Sequence, residues 1–342
     1  MSAIIVIDAL WGDSGKGKIA AWLAAKRRAA ICVRGGTGTN SGHSLYLDGE
    51  LIKTSQLPLA GLLGSARLRV GSGVAVDPSL FEEEMSRYAR FAVRERARVD
   101  GRCPVILPEY KDAERSDANL RETVGSTLSG TGWAQAMYCL RKAKQAKDIP
   151  ALAPYLADVA RECDEACAAG QTVVLEGSQG TLLSLALTQD YPFCTSGNCT
   201  AMACADDVGL NWKRIGEVVM VVKAVPSRVG EGPLPSEMTE TEQDARGIAE
   251  YGVRTGRRRR KASRVPLDLV EEAARLNGPT GIALSFCDHL DPEMNRATGP
   301  TPAIARLIAE VEEASGAPVI LLDRGKGHDA ILERRTDGTW TR

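Results

Sequence analysis

Apolar and polar positions along this chain follow two alternating rhythms. Short uninterrupted apolar runs, the mark of strands buried on both faces, fall at Ile4–Ala9, Ala30–Val33, Leu68–Val70, Val105–Leu107, Thr172–Leu175, Val218–Val225, Ile282–Phe286 and Val319–Leu322. Between them, apolar residues recur at intervals of three and four and predict helices over Lys18–Arg27, Pro78–Phe91, Trp133–Ala146, Pro154–Ala169, Leu267–Leu276 and Pro302–Ser315. Gly170 follows the fourth of these as a C-terminal cap would. Strands and helices in turn predict an α/β fold: a mainly parallel central sheet with flanking helices and a P-loop-like first turn. With no internal repeat and no low-complexity linker, the expectation is one domain over residues 1–342 with elaborated loops.

Composition narrows this picture mainly by exclusion. The chain has 342 residues, 44% of them hydrophobic and 25% charged, which rules out a disordered or fibrous protein. Its 43 Lys and Arg against 44 Asp and Glu lack the basic excess that nucleic-acid binding needs, so no nucleic-acid partner is expected. No apolar stretch approaches the ~18 residues of a membrane span, and the amino terminus lacks a basic signal-peptide start, so no membrane partner is expected. Nine cysteines, an odd number and never spaced C-x-x-C, predict a reducing, cytoplasmic setting. Cys194, Cys199 and Cys204 are expected to pack as small apolar groups, because none of the three histidines is near them in sequence.

Glycine placement carries the chemistry. Clusters follow the strand candidates at Gly12–Gly17, Gly35–Gly42, Gly71–Gly73, Gly125–Gly132, Glu176–Gly180 and Gly230–Gly232, where parallel sheets place ligands. The first matches G-x-x-x-x-G-K from Gly12 to Lys18, with Ile19 where a P-loop has its magnesium-binding hydroxyl. Backbone N–H groups, Lys16, Lys18 and a helix amino terminus still suit phosphate there. Asp13, flanked by these cations, is expected to be ionised and to serve as a metal ligand or a base. His43 lies in the second glycine-rich loop; taken alone it is a ligand-facing imidazole or a solvated one. Ser126 and Thr127 lie in a segment that opens a helix and suits a second anion. Gln179 ends a buried strand with a polar amide. The run Arg257–Lys261, read in isolation, is a solvated charged face.

In order, the phrases WGDSGKGK, GTNSGHS, EGSQGTLLSL, YPFCTS, PSRVGEGPLPSEM and TGRRRR resemble adenylosuccinate synthetase, most closely its short archaeal-like form, from Ile4 to the carboxyl terminus. The resemblance implies an adenylosuccinate synthetase-like fold, a homodimer, a magnesium ion, and the joining of L-aspartate to carbon 6 of a 6-oxopurine nucleotide with triphosphate cleavage. It implies Asp13 as the base at N1, and His43 and Gln179 as stabilisers of the purine oxygen. Asp13 and the Gly42 carbonyl would hold the metal. Gly12, Gly15, Lys16, Gly17, Lys18, Gly42, Asp288 and Gly325 would hold the triphosphate. Around the purine nucleotide it places Ser14, Asn40, Ser126, Thr127, Gln179, Thr195, Val229 and Arg259, with Arg141 reaching in from the neighbouring subunit. Thr255, Arg257 and Arg259 would hold the aspartate, the guanidinium forks suiting its carboxylates.

Two departures from the family pattern change the expected substrates. Ser14 stands where the family has Glu, leaving room and a hydroxyl for an amino group on purine carbon 2. Phe286 stands where the donor-guanine phrase T-K-x-D has Lys, although Asp288 remains, and the later T-G-P phrase has become Arg324-Gly325-Lys326. These changes, with YPFCTSGNCT and CDHLDP, resemble the family's viral 2-aminoadenylosuccinate synthases, some of which lack the residue equivalent to Asp13. The expectation is therefore a viral-type ligase acting in a host cytoplasm, joining L-aspartate to dGMP with ATP or dATP through a 6-phosphoryl intermediate. IMP with GTP is the alternative, and a P-loop nucleotide switch is a remote one.

Overall fold

The computed structural model describes residues 2–251 and 256–342. Its eleven-stranded sheet runs, edge to edge, Trp340–Thr341, Ile331–Arg334, Val319–Asp323, Gly281–Ser285, Ile215–Lys223, Ala3–Asp8, Val173–Glu176, Ile31–Arg34, Arg67–Val70, Ala97–Asp100 and Leu156–Ala157. All neighbours are parallel except the two pairs at the carboxyl-terminal edge. The apolar runs read from the sequence form the middle of this sheet because both faces are covered. Every residue of Ala3–Asp8 is buried, packed on one side against the Lys16–Lys26 helix and on the other within a core that includes the Ala201–Val208 helix.

Helix ends follow local chemistry. Pro302–Ser315 starts with Pro at its first position and stops at Gly316 in the left-handed region, φ 65°. Pro78–Arg87 is capped by Asp77, which accepts from the N–H groups of Ser79 and Leu80 at 3.1 and 3.4 Å. No helix among the described residues is long and apolar enough to cross a membrane.

Three sequence expectations give way. Val105–Leu107 makes only an isolated bridge to Val76 and then enters the Pro108–Ser116 helix. The helix read as Trp133–Ala146 spans Thr131–Cys139, because the chain turns out of it at Arg141 with φ 59°. The helix read from Pro154 begins at Val159, after a short edge strand. The hairpin His43–Leu47/Glu50–Thr54 escaped the periodicity, although Asp48-Gly49 with φ of 50° and 83° is the two-residue turn such hairpins favour.

Nine parallel strands end on one side of the sheet, at Asp8, Arg34, Val70, Asp100, Ala157, Glu176, Lys223, Ser285 and Asp323. The clusters Gly12–Gly17, Gly35–Gly42, Gly71–Gly73 and Glu176–Gly180 extend from those ends and are thereby gathered in space. Gly125–Gly132 instead follows the Pro108–Ser116 helix and the helical turn Asn119–Thr123, and Gly230–Gly232 follows the separate strand Ser227–Arg228.

Candidate active site

The gathered loops enclose a cleft of about 740 Å³. The glycine loop forms its floor. Gly12, Asp13 and Gly15 all adopt positive φ, and the Lys16–Lys26 helix starts directly after, pointing its first-turn N–H groups into the cleft. Below the loop, Asp8 Oδ1 accepts from the N–H groups of Leu10 and Gly12 at 2.7 and 3.3 Å. Burial raises the Asp8 carboxyl above its usual range, against the pull of nearby Lys16. Burial likewise pushes Lys16 down, opposed by Asp8 and Asp13. Gly17 is required by packing: a Cβ there would stand 2.6 Å from the Cβ of His43.

His43 is held by a buried cluster that the sequence did not announce. Arg34 and Glu176 face one another across adjacent strands, and both side chains are fully buried. Glu176 Oε1 accepts from Arg34 Nη1 at 2.9 Å and bonds His43 Nδ1, while Oε2 accepts from the Ala60 N–H at 2.6 Å. Arg34 Nη1 also approaches Nδ1, at 2.6 Å, but the carboxylate has only acceptors and is the nearer of the two, which assigns the proton between it and the ring to Nδ1. Burial and then Arg34 push His43 down to about 3, against the upward pull of Glu176, so without ligand the ring is neutral.

Other expected site residues converge. Asn40 Nδ2 donates to Thr195 Oγ1 at 2.9 Å, and Thr37 Oγ1 donates to Asn40 Oδ1 at 3.1 Å. Gln179 Nε2 donates to Thr37 Oγ1 at 3.2 Å, and the Cys199 thiol leans on Gln179 Oε1 at 3.8 Å. The segment carrying Ser126 and Thr127 is braced by buried Glu114, which accepts from the N–H groups of Gly130 and Gly132 at 2.7 and 2.9 Å. The turn carrying Thr195 is fixed by buried Arg228, which donates to Asp190 and to the carbonyls of Phe193 and Pro233. Glu114 belongs to no phrase with recognisable chemistry, and Arg228, although it lies in PSRVGEGPLPSEM, has no role there that the phrase announces; their burial reveals them. Gly42, Val229, Asp288 and Gly325 are further walls of the cleft.

The arginine run is not uniformly a face or a clamp. Arg258 and Arg260 pair outward with Asp244 and Glu237, Arg257 is exposed, and Arg259 is buried in the cleft against the Asp13 carboxylate. Thr255 lies outside the described residues. Arg141 is exposed and is not a wall of its own chain's cleft.

The two departures also have definite places. Ser14 is 2% exposed, and its Oγ lies beside the Asp8 carboxyl without a well-formed hydrogen bond. Phe286, with φ 53°, packs its ring on the glycine loop, 3.0 Å from where a Cβ on Gly15 would stand. Lys223 Nζ caps that ring at 4.2 Å, and the His289 ring meets it edge-on at 4.9 Å. Lys18, itself a lining residue of the cleft, donates to Asp323 Oδ1 at 2.6 Å and to the Gly325 carbonyl at 2.5 Å.

Among the described residues no three His, Cys, Asp or Glu side chains cluster as a metal cage. Cys199 and Cys204 are buried thiols whose ionisation burial opposes. Asp13, exposed over a quarter of its side chain, and the Gly42 carbonyl offer hard oxygen donors in the cleft. A magnesium ion bound by one or two carboxylates together with substrate phosphates fits that set.

Comparison with known proteins agrees with this geometry. The family profile of adenylosuccinate synthetase matches residues 5–151 and 147–295. The chain is 43% identical over 338 residues to an adenylosuccinate synthetase of Thermococcus sibiricus, covering 98% of this chain and 99% of that one. To one from Methanocaldococcus jannaschii it is 38% identical over 340 residues, covering 98% of each. Its fold superposes on fully ligated Plasmodium falciparum adenylosuccinate synthetase with a TM-score of 0.88 at 18% identity, covering 98% of this chain and 100% of that one. On a cyanophage S-2L succinoaminodeoxyadenylate synthetase bound to dGMP and dATP, the TM-score is 0.81 at 23% identity, covering 98% and 96%.

Proposed function

The chain belongs to the adenylosuccinate synthetase family of C–N bond-forming ligases, and from that premise we propose that its cleft joins L-aspartate to carbon 6 of a 6-oxopurine nucleoside monophosphate while cleaving a nucleoside triphosphate. The observation that carries this is the meeting, over one glycine loop, of a carboxylate, a carboxylate-bound imidazole and a buried guanidinium: Asp13, His43 on Glu176, and Arg259. A nucleotide switch has no use for such a set.

The purine oxygen is a poor leaving group until it is phosphorylated. Asp13 takes the N1 proton, and the electron density that reaches the oxygen attacks the γ-phosphorus, releasing the nucleoside diphosphate. The amine of aspartate then adds at carbon 6 and phosphate departs. Gln179, already oriented by Thr37 and Cys199, donates to the reacting oxygen. His43 starts neutral, but an anionic phosphoryl group brought against the ring favours the imidazolium, whose Nε2–H then meets the developing charge. Magnesium, which this family uses, would be held by Asp13 and Gly42 and would neutralise phosphate charge. Arg257 and Arg259 would grip the aspartate carboxylates. For Arg259 this means leaving the Asp13 carboxylate for the amino acid's, so aspartate binding frees the base.

On the nucleotide pair, the order of the two sequence readings reverses. Near-complete alignment at 43% identity with a relative named adenylosuccinate synthetase supports IMP with GTP. The second reading, dGMP with ATP or dATP, is favoured by Ser14 at the cleft floor and by Phe286 on the donor side, and the phage protein of similar fold carries those ligands. Base selection rests on a few side chains, so whole-chain identity supports the chemistry more strongly than the base.

A matrix of IMP, GMP and dGMP against ATP, dATP and GTP, with aspartate present, separates the readings by phosphate release and the mass of the succinylated product. Triphosphate consumption without aspartate incorporation in every combination would overturn the ligase itself. Ser14→Glu is expected to move the dGMP-to-IMP ratio of kcat/KM toward IMP by at least about tenfold; an unchanged ratio removes Ser14 as the selector.

A homodimer is part of this proposal, with Arg141 completing the partner's purine site. Arg141→Leu and Asp13→Asn chains, each inactive alone, should regain about a quarter of normal activity when refolded together, because half of the dimers are mixed and each holds one intact site. No recovery on mixing would show that Arg141 serves its own chain or none.

A further inference from the structure

The glycine loop carries two lysines with different surroundings, and we propose that Lys18 is a positioning residue: it neutralises Asp323 and pins the 323–326 turn against the loop, so that Lys16 and the helix amino terminus receive the triphosphate. This rests on the reading that the glycine loop holds a triphosphate.

The geometry is specific. Lys18 and Asp323 are 305 residues apart in sequence, with side chains only 7% and 6% exposed and an Nζ–Oδ1 distance of 2.6 Å. A second contact, from Nζ to the Gly325 carbonyl at 2.5 Å, spans the same turn. An ammonium committed to two oxygens below the surface, one of them anionic, has lost much of what it can offer a phosphate. Lys16, by contrast, lies among Asp8, Asp13 and Arg34 on the cleft floor.

The pairing matters because of where Asp323 stands. Its Oδ2 is 3.8 Å from the place a Cβ on Gly15 would occupy, so the carboxylate abuts the phosphate-binding loop itself. Asp288, on the short Cys287–Leu290 helix, is raised above the usual carboxyl range by burial and then by Asp323. Without Lys18, an incoming triphosphate would face an unneutralised carboxylate at the loop, in a setting that screens charge poorly. The benefit of Lys18 is the removal of a repulsion, and that has a distinctive signature.

A double-mutant cycle reads it. Lys18→Met is expected to raise the triphosphate KM by about tenfold or more with kcat within about threefold. Asp323→Asn alone should change little, and the double variant Lys18→Met/Asp323→Asn should return KM to within about threefold of the unaltered chain. If Lys18 were itself a phosphate ligand, the double variant would be no better than Lys18→Met, and that result overturns the inference. Should Lys18→Met fail to fold, the double variant and Lys18→Arg, which keeps the ion pair, carry the same test through the triphosphate-induced rise in melting temperature. An unaltered chain that neither hydrolyses nor is stabilised by any purine triphosphate would sink the parent reading. Normal binding there, with no rescue in the double variant, would sink this inference alone.

Discussion

Asp13→Asn is expected to lower kcat by about 10²–10⁴-fold while leaving triphosphate affinity within a few fold, the size of effect associated with loss of a positioned general base. The reason for expecting the two quantities to separate is conformational. Asp13 sits at φ 55° directly after Gly12, itself of positive φ, and Asn is among the few non-glycine residues that adopt this region readily. The loop backbone, and with it the N–H groups that receive phosphate, is therefore retained. The amide oxygen still faces Arg259, so the buried guanidinium keeps a polar neighbour although it loses its counter-charge. What disappears is the capacity to take the N1 proton. Single-turnover phosphate release, measured beside a triphosphate-dependent thermal shift, reads both quantities. Retained turnover would mean that the N1 proton goes elsewhere; loss of the thermal shift along with turnover would mean that the loop itself had changed.

Legibility in the sequence tracked locality. The first strand, the glycine loop and the Lys16–Lys26 helix are contiguous, and their pattern and turn chemistry stand in one short stretch. The Pro302–Ser315 helix was likewise bounded by its own Pro and Gly. Val105–Leu107 misled because a short apolar run has no period of its own, and its burial comes from packing beside Val76 rather than from a sheet position. In the site, Gly12–Lys18, Asn40, Gly42 and Gln179 share one cleft because each lies shortly after the end of a central strand, which a sequence reading can anticipate. The residues that hold them were not legible for the opposite reason. Glu176 meets His43 and Arg34 only through strand register, across 133 and 142 residues. Glu114 reaches the Gly130–Gly132 segment from the preceding helix without a motif of its own. The partner of Lys18 was hidden for the same cause, since Asp323 is invisible from the phrase that contains the lysine. Motifs identify groups that touch ligands; the supports come from the fold.

Glu176→Gln should therefore be nearly as damaging as loss of a reacting group, although Glu176 is expected to touch no substrate. The variant keeps the shape of the side chain but removes the charge that balances Arg34, and both side chains are wholly buried. Breaking a buried pair on one side costs about 3–5 kcal/mol, which lowers the melting temperature by roughly 4–7 °C in a chain of this size. The second consequence concerns His43. A carboxamide can present its NH₂ to Nδ1 as readily as its oxygen, so the ring loses both its enforced tautomer and the counter-charge that supports the imidazolium, and kcat should fall by about 10²–10³-fold. Measured well below the lowered melting temperature, that fall should come without a matching rise in either nucleotide KM; a change confined to stability would reduce Glu176 to a structural ion-pair partner. Acid provides an independent check. Burial raises the Glu176 carboxyl, but His43 and Arg34 outweigh it and hold the group below its ordinary value of 4.5. A depressed native value means that the stabilisation is fully present above the unfolded-state value and is lost as pH falls toward the native one. The melting-temperature gap between the native chain and Glu176→Gln should thus stay constant from neutral pH down to about 5 and shrink below that; a gap that widens in acid would show that the native carboxyl is protonated more readily than an exposed one, and that the Arg34–Glu176–His43 cluster is not held together by its charge.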